Sequence, residues 1–215
     1  MSWHVVHLKM NVLVHDIYER NGFFMWKVKA AAAGRKKTHP SGSRTAAADL
    51  VLCGLFAALT AVCSQIQIPL PMIPVNLALF GVHLCGALLG EKYGTLCMVV
   101  YVLLGLAGLP VFAGFMGGVG TLFGKTGGYI IGYILDALVV GLIVRRWGSS
   151  FFKCCVAMIT GLAACYTFGT LWFMHITGMG LWVSLTYCVF PFLAGDAVKI
   201  ALAAALTGRL KKVLG

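Results

Sequence analysis

From residue 46 to residue 206 the chain is a series of long apolar runs, broken only by short connectors that are basic or rich in Gly and Pro. In hydrocarbon no water can hydrogen-bond the peptide groups, so a run of roughly 20 apolar residues crosses a bilayer only as a helix or within a closed barrel. These runs are continuous rather than alternating, so they predict helices. Six spans are expected, at 47–68, 75–89, 93–109, 127–144, 154–176 and 182–206. Charged residues make up only 11% of the chain, against about 25% in a soluble domain. The fold class expected is therefore an all-α integral membrane protein with two parts: a basic, disordered cytoplasmic extension over 1–45 and a membrane domain over 46–215.

Charge sets the expected topology. Lys and Arg outnumber Asp and Glu 17 to 6, and the excess gathers between spans. The clusters are Arg35, Lys36, Lys37 and Arg44, then Lys92, then Arg145, Arg146 and Lys153, then Arg209, Lys211 and Lys212. Under the positive-inside rule these segments are cytoplasmic, and six spans return both termini to that side of the cell membrane. No basic stripe is interleaved with aromatics as a single-strand nucleic-acid binder requires. The remaining connectors, 69–74, 110–126 and 177–181, face outward. They are Gly- and Pro-rich, and Lys125 is their only base. Non-helical backbone at membrane depth belongs where it lines a cavity or is buried in protein.

One segment breaks the apolar rule. Asp196 and Lys199 stand three residues apart in the last run, where each charge costs about 2.5–3.5 kcal/mol at mid-bilayer on insertion scales. Residues i and i+3 share a helix face, so the two neutralise each other in part while pointing the same way. Two readings follow: an ion pair that staples helices, or a polar site for a hydrogen-bonding solute. The second is favoured, because a carboxylate accepts N–H and an ammonium donates to C=O.

Other motifs are less productive. The eight cysteines are scattered without a CxxC pair and read as packing residues. His83 and His175 are isolated in the membrane part, so no metal is assigned. Asp49 and Asp136 are placed near span ends, which leaves no run of acids for a proton relay. Gly124-Lys125-Thr126 resembles the end of a nucleotide-binding loop, but Val119 stands where that loop needs its first glycine. No catalytic constellation and no cofactor is expected, so the chain is not read as an enzyme. On the first span Gly54, Ala57, Ala58 and Ala61 give two small-xxx-small pairs, suited to close approach of another helix from within or from outside.

Three motifs together resemble the BioY family, the biotin-specific substrate-capture (S) components of energy-coupling-factor transporters. Gly108-Leu109-Pro110-Val111-Phe112-Ala113, Gly117-Gly118 and Gly124-Lys125-Thr126-Gly127-Gly128-Tyr129 resemble that family's long loop. Pro191 to Asp196 with Lys199 resembles its last-helix motif, and Ile68-Pro69-Leu70-Pro71 with Pro74-Val75 and Phe80-Gly81 its first outward loop. Two departures are Lys125, where the family usually has Pro, and Asn76-Leu77-Ala78, where it tends to have Thr-Leu-Gln.

The resemblance implies biotin as substrate, with a transmembrane scaffold subunit and two cytoplasmic ATPases as partners. Biotin presents two ureido N–H donors, one carbonyl, an apolar thioether ring and a carboxylate tail. Asp196 then accepts from the ureido, and Lys199 or Asn76 donates to its carbonyl. Phe112, Phe115, Tyr129 and Trp182 offer walls. The amides of Gly117 and Gly118, or Lys125, would meet the carboxylate, although Asp196 and Lys199 would serve the tail equally well. The resemblance also favours docking of the scaffold on Gly54, Ala57, Ala58 and Ala61. Two alternatives stay open: a stand-alone secondary biotin transporter, and an S component for another vitamin.

Overall fold

The structure is a computed structural model that describes residues 46–68, 70 and 72–214. The expectations for residues 1–45, and for Pro69 and Pro71, fall outside that set. The elements are helix α1 (Ala46–Gln65), a hairpin of β1 (Gln67–Ile68) and β2 (Val75–Asn76), and helix α2 (Ala78–Leu106). A 3₁₀ turn (Ala113–Phe115) and the single turn α3 (Val119–Leu122) follow, then α4 (Gly127–Trp147), α5 (Phe151–Thr177), α6 (Leu181–Cys188) and α7 (Phe190–Leu214). Among the described residues, five helices are long and apolar enough to cross a membrane: α1, α2, α4, α5 and α7.

Two differences from the sequence expectation have local causes. The runs expected at 75–89 and 93–109 belong to one helical element, broken at Gly90, whose φ of 77° and ψ of −175° are non-helical. The chain doubles back there. The Cys85 thiol reaches the Gly94 carbonyl at 3.6 Å, whereas nine residues of continuous helix would separate them by roughly 13.5 Å. The last run, expected from 182, is divided by Val189 (φ −123°, ψ −57°) into α6 and α7. Pro191 explains the break: it has no N–H to donate backward and tolerates only the first turn of a helix. Elsewhere Gly148 (φ 92°) and Gly178 (φ 69°) end α4 and α5 with the positive φ that a helix stop favours.

Helix α4 is the centre of the bundle. It packs chiefly on α2 and α5, and 61% of its most apolar window is buried, against 33% for α1. Small residues allow this. A Cβ on Gly141 would lie 2.4 Å from the Glu91 nitrogen, so only glycine lets α4 cross the Gly90 turn. Helix α1 is peripheral and leaves Leu50, Leu55 and Val62 exposed.

The basic side chains converge at one end of the bundle. Arg145 near the end of α4 pairs with Glu91 at the Gly90 turn, and Lys211 of α7 lies close to Cys154 at the start of α5. The opposite end is roofed by the β1–β2 hairpin and the 109–126 loop, and beneath that roof the core opens.

Candidate functional site

The opening is a cavity of about 110 Å³ between α2, α4, α5, α6, α7 and the long loop. That is room for several waters. Four tyrosines face it: Tyr101 from α2, Tyr129 and Tyr133 from α4, and Tyr166 from α5. Each arrives by helical periodicity. Tyr129 and Tyr133 are four apart on one face of α4, and the hydroxyls find partners as buried phenols must. Tyr101 Oη donates to the Val111 carbonyl at 3.0 Å, and Tyr129 Oη lies 3.0 Å from Thr170 Oγ1.

Among the described residues, Lys199 is the only charged side chain in the lining, and it is 5% exposed. Its Nζ donates to Asp196 Oδ1 at 2.8 Å, the i, i+3 pairing expected on α7. The second carboxylate oxygen accepts from the Tyr166 hydroxyl. Asp196, 1% exposed, therefore stands behind the lining and holds two groups that belong to it. An ammonium with donors to spare and a phenol oxygen with free lone pairs are the groups offered to a solute. On the hairpin side, Asn76 Oδ1 accepts from the Ala78 N–H at 3.1 Å. That fixes the amide and leaves its NH₂ toward the Tyr133 hydroxyl. The hairpin register, Gln67 opposite Asn76, sets this position.

The expected site residues divide. Lys199, Asn76, Phe112 and Tyr129 line the cavity, and Asp196 supports it. Gly117, Gly118 and Lys125 do not line it. The Gly118 amide donates to the Gly105 carbonyl at 2.7 Å, and a Cβ on Gly117 would lie 2.3 Å from the Leu109 carbonyl oxygen. These glycines brace the loop on itself, while Lys125 is exposed. Phe115 and Trp182 are 72% and 76% exposed and wall nothing. The residues that sequence reasoning missed are Tyr101, Tyr133 and Tyr166. Their signal was a hydroxyl in mid-span, where Phe would cost less.

Cys188 of α6 closes one side. Burial pushes its thiol above the ordinary range, so it is a neutral wall. A second, larger cleft of about 450 Å³ lies beyond Asn76 and Lys199, between the hairpin and α7. Its lining is otherwise almost wholly apolar, so the polar set that can orient a solute belongs to the smaller cavity.

Two further expectations are relocated. Asp136 is not near a span end but in the middle of α4, wholly buried, with its Oδ2 3.1 Å from His83 Nε2. Of the four small residues on α1, Ala57 is 2% exposed inside the core, Ala61 is half-buried, and Gly54 and Ala58 face outward. No group of three or more His, Cys, Asp or Glu side chains that could hold a metal occurs among the described residues.

Known proteins resemble this chain in sequence and in architecture. The profile of the BioY family matches residues 35–215. The biotin transporter BioY of Thermotoga maritima is 40% identical over 168 residues, covering 77% of this chain and 96% of that protein. A probable biotin transporter BioY of Pyrococcus horikoshii is 36% identical over 165 residues, covering 77% and 97%. A crystal structure at 2.1 Å of the S-component for biotin from an ECF-type ABC transporter superposes with a TM-score of 0.72 at 26% identity. It covers 76% of this chain and 90% of its own. A profile match across most of the sequence, joined to relatives aligned over nearly their whole length, means that the chain belongs to the BioY family.

Proposed function

We propose that the chain captures biotin at the outer face of the cell membrane and delivers it inward as the S component of an ATP-driven energy-coupling-factor transporter. The observation that carries this reading is the Lys199–Asp196–Tyr166 constellation, which shares a tyrosine-lined cavity with Asn76 and Tyr133. Lys199 donates to the ureido carbonyl, the Tyr166 oxygen accepts a ureido N–H, and Asn76 contributes its NH₂. The tyrosine rings and Phe112 enclose the thioether ring. The likeness to biotin transporters and to a biotin S-component supports the same substrate. Chemistry is absent from the role: the site binds and releases, and partner ATPases supply the energy.

The topology proposed counts the two arms of α2 on either side of Gly90 as separate spans, giving six with both termini cytoplasmic. Convergence of Glu91, Arg145 and Lys211 at one end favours that end as the inner one. The tyrosine-lined cavity then opens outward, and residues 1–45 form the cytoplasmic extension.

Titration calorimetry on the detergent-solubilised protein tests the substrate, with desthiobiotin and thiamine as comparators. Selective biotin binding is the expected result. Absence of biotin binding by folded protein, or a preference for thiamine, would move the substrate to another vitamin.

Docking of the scaffold subunit is proposed on the outward face of α1 that carries Gly54 and Ala58. A Cβ on Gly54 meets nothing within 4 Å, so a large side chain there leaves the fold intact and obstructs an approaching helix. Gly54→Leu with Ala58→Leu is expected to lose the scaffold on co-purification while biotin affinity stays within about threefold, a tolerance set by the ±0.5 kcal/mol usual for surface substitutions. An intact complex would remove this face from the interface.

A further inference from the structure

Gln65 has no place in the site described so far, yet its side chain reaches the cavity's most irregular wall. It is the last residue of α1, and its amide works in both directions on one loop. Nε2 donates to the Phe112 carbonyl at 3.0 Å, and Oε1 accepts from the Phe115 N–H at 2.8 Å. A side-chain amide thereby completes the hydrogen bonding of residues 112–116, which close on themselves through the Phe112 N–H and the Met116 carbonyl at 3.0 Å. Ser64, one residue earlier, donates to the Val111 carbonyl at 2.6 Å.

The segment so held is strained. Phe115 has φ 56°, the only positive φ outside glycine among the described residues, and its exposed ring gains no packing in return. Such a conformation persists only where its surroundings over-determine it. Its neighbours are the wall. Phe112, Ala113 and Met116 line the cavity, and the Phe112 ring meets Tyr101 edge-on at 5.6 Å.

We propose that Gln65 is a positioning residue for ligand retention: by clamping Phe112 and Phe115 it holds the 112–116 wall against the cavity. This inference rests on the biotin-capture reading for its ligand, but the clamp itself exists without one. Because the clamp acts after the ligand has entered, its loss speeds release more than it slows entry.

The experiment combines biotin association and dissociation rates with amide hydrogen exchange of the ligand-free protein, for wild type, Gln65→Ala and Gln65→Glu. Gln65→Ala removes the two hydrogen bonds to Phe112 and Phe115, about 1 kcal/mol each, along with the Nε2 contacts to Ser64 Oγ and the Ala61 carbonyl, so dissociation is expected to accelerate about tenfold or more, with association changed less than about threefold. Exchange should rise at residues 112–116 and not in α4 or α5. Gln65→Glu keeps the acceptor for Phe115 and loses the donor to Phe112, so it should fall between the two. Unchanged exchange at 112–116 in Gln65→Ala would overturn the clamp. So would exchange rising equally across all helices, which marks a general loss of stability. If wild-type protein binds no biotin while the local exchange effect appears, the substrate reading fails and the clamp stands.

Discussion

Lys199→Met is expected to weaken biotin binding by about two to three decades and to lower thermal stability as well. The residue is both the charged group of the cavity and one half of a buried pair with Asp196. Its removal takes away a ligand donor and leaves a carboxylate, 1% exposed, with Tyr166 as its remaining partner. Stranding one member of such a pair costs about 3–5 kcal/mol. Asp196→Asn acts differently. The amide preserves the shape and still accepts from Lys199 or Tyr166, but it no longer balances the ammonium. Because Asp196 stands behind the lining, its effect on affinity comes through the geometry of those two side chains and should be smaller, about tenfold. The combined variant separates binding from folding. With both charges gone the desolvation penalty disappears, so Lys199→Met with Asp196→Asn should recover the melting temperature of the wild type while affinity stays as low as in Lys199→Met. Wild-type affinity in either variant that lacks Lys199 would show that the ammonium does not touch the ligand.

The parts of this site that could be read from sequence are those that violate a rule. An acid and a base in an apolar run are costly enough to need a purpose, so Asp196 and Lys199 stood out, and the three-residue spacing correctly put them in contact. Tyrosines in apolar runs break that rule only weakly, through a mid-span hydroxyl, because the aromatic ring itself suits lipid, the interface and the core alike. Only the packing of α2, α4 and α5 sorts Tyr101, Tyr133 and Tyr166 inward. Glycines mislead for a related reason. Gly117 and Gly118 suit a receptor for a carboxylate, yet a glycine serves equally where backbone must pass close to backbone, as Gly117 does at the Leu109 carbonyl. The four-residue spacing on α1 was similarly blind to direction. It found Gly54, Ala57, Ala58 and Ala61 but not that Ala57 faces the core while Gly54 and Ala58 face away. Asp136 is the reverse case: the expected span 127–144 already puts it at mid-span, and reading it near a span end hides the buried polar pair it makes in the middle of α4.

That pair has its own expected result: Asp136→Ala should cost about as much stability as Lys199→Met, without removing a ligand contact. His83 and Asp136 are both wholly buried. Nε2 and Oδ2 are 3.1 Å apart, off the line of a good hydrogen bond, and among the described residues neither side chain has another polar partner. No slack surrounds them. A Cβ on Gly161 of α5 would lie 2.4 Å from Asp136 Oδ1, so α5 crosses directly against the carboxylate. Removing that carboxylate leaves an imidazole buried alone and opens a void where three helices meet. About 3–5 kcal/mol is at stake, a large share of the roughly 5–15 kcal/mol that holds a domain together. Asp136→Ala is expected to unfold or aggregate on detergent extraction, and Asp136→Asn, which keeps volume and a polar atom beside His83, to survive with a lowered melting temperature. Replacing both members by apolar groups, His83→Leu with Asp136→Val, removes the stranded polar atoms together and should return stability to near wild type. Neither residue lines the cavity, so that double variant should bind biotin within about threefold of wild type, a change of roughly 0.6 kcal/mol. A double variant less stable than Asp136→Ala would show that the pair contributes net attraction worth more than its burial costs. A stable double variant that has lost biotin binding would instead place the pair in the capture mechanism, acting through Tyr133 one turn away on α4.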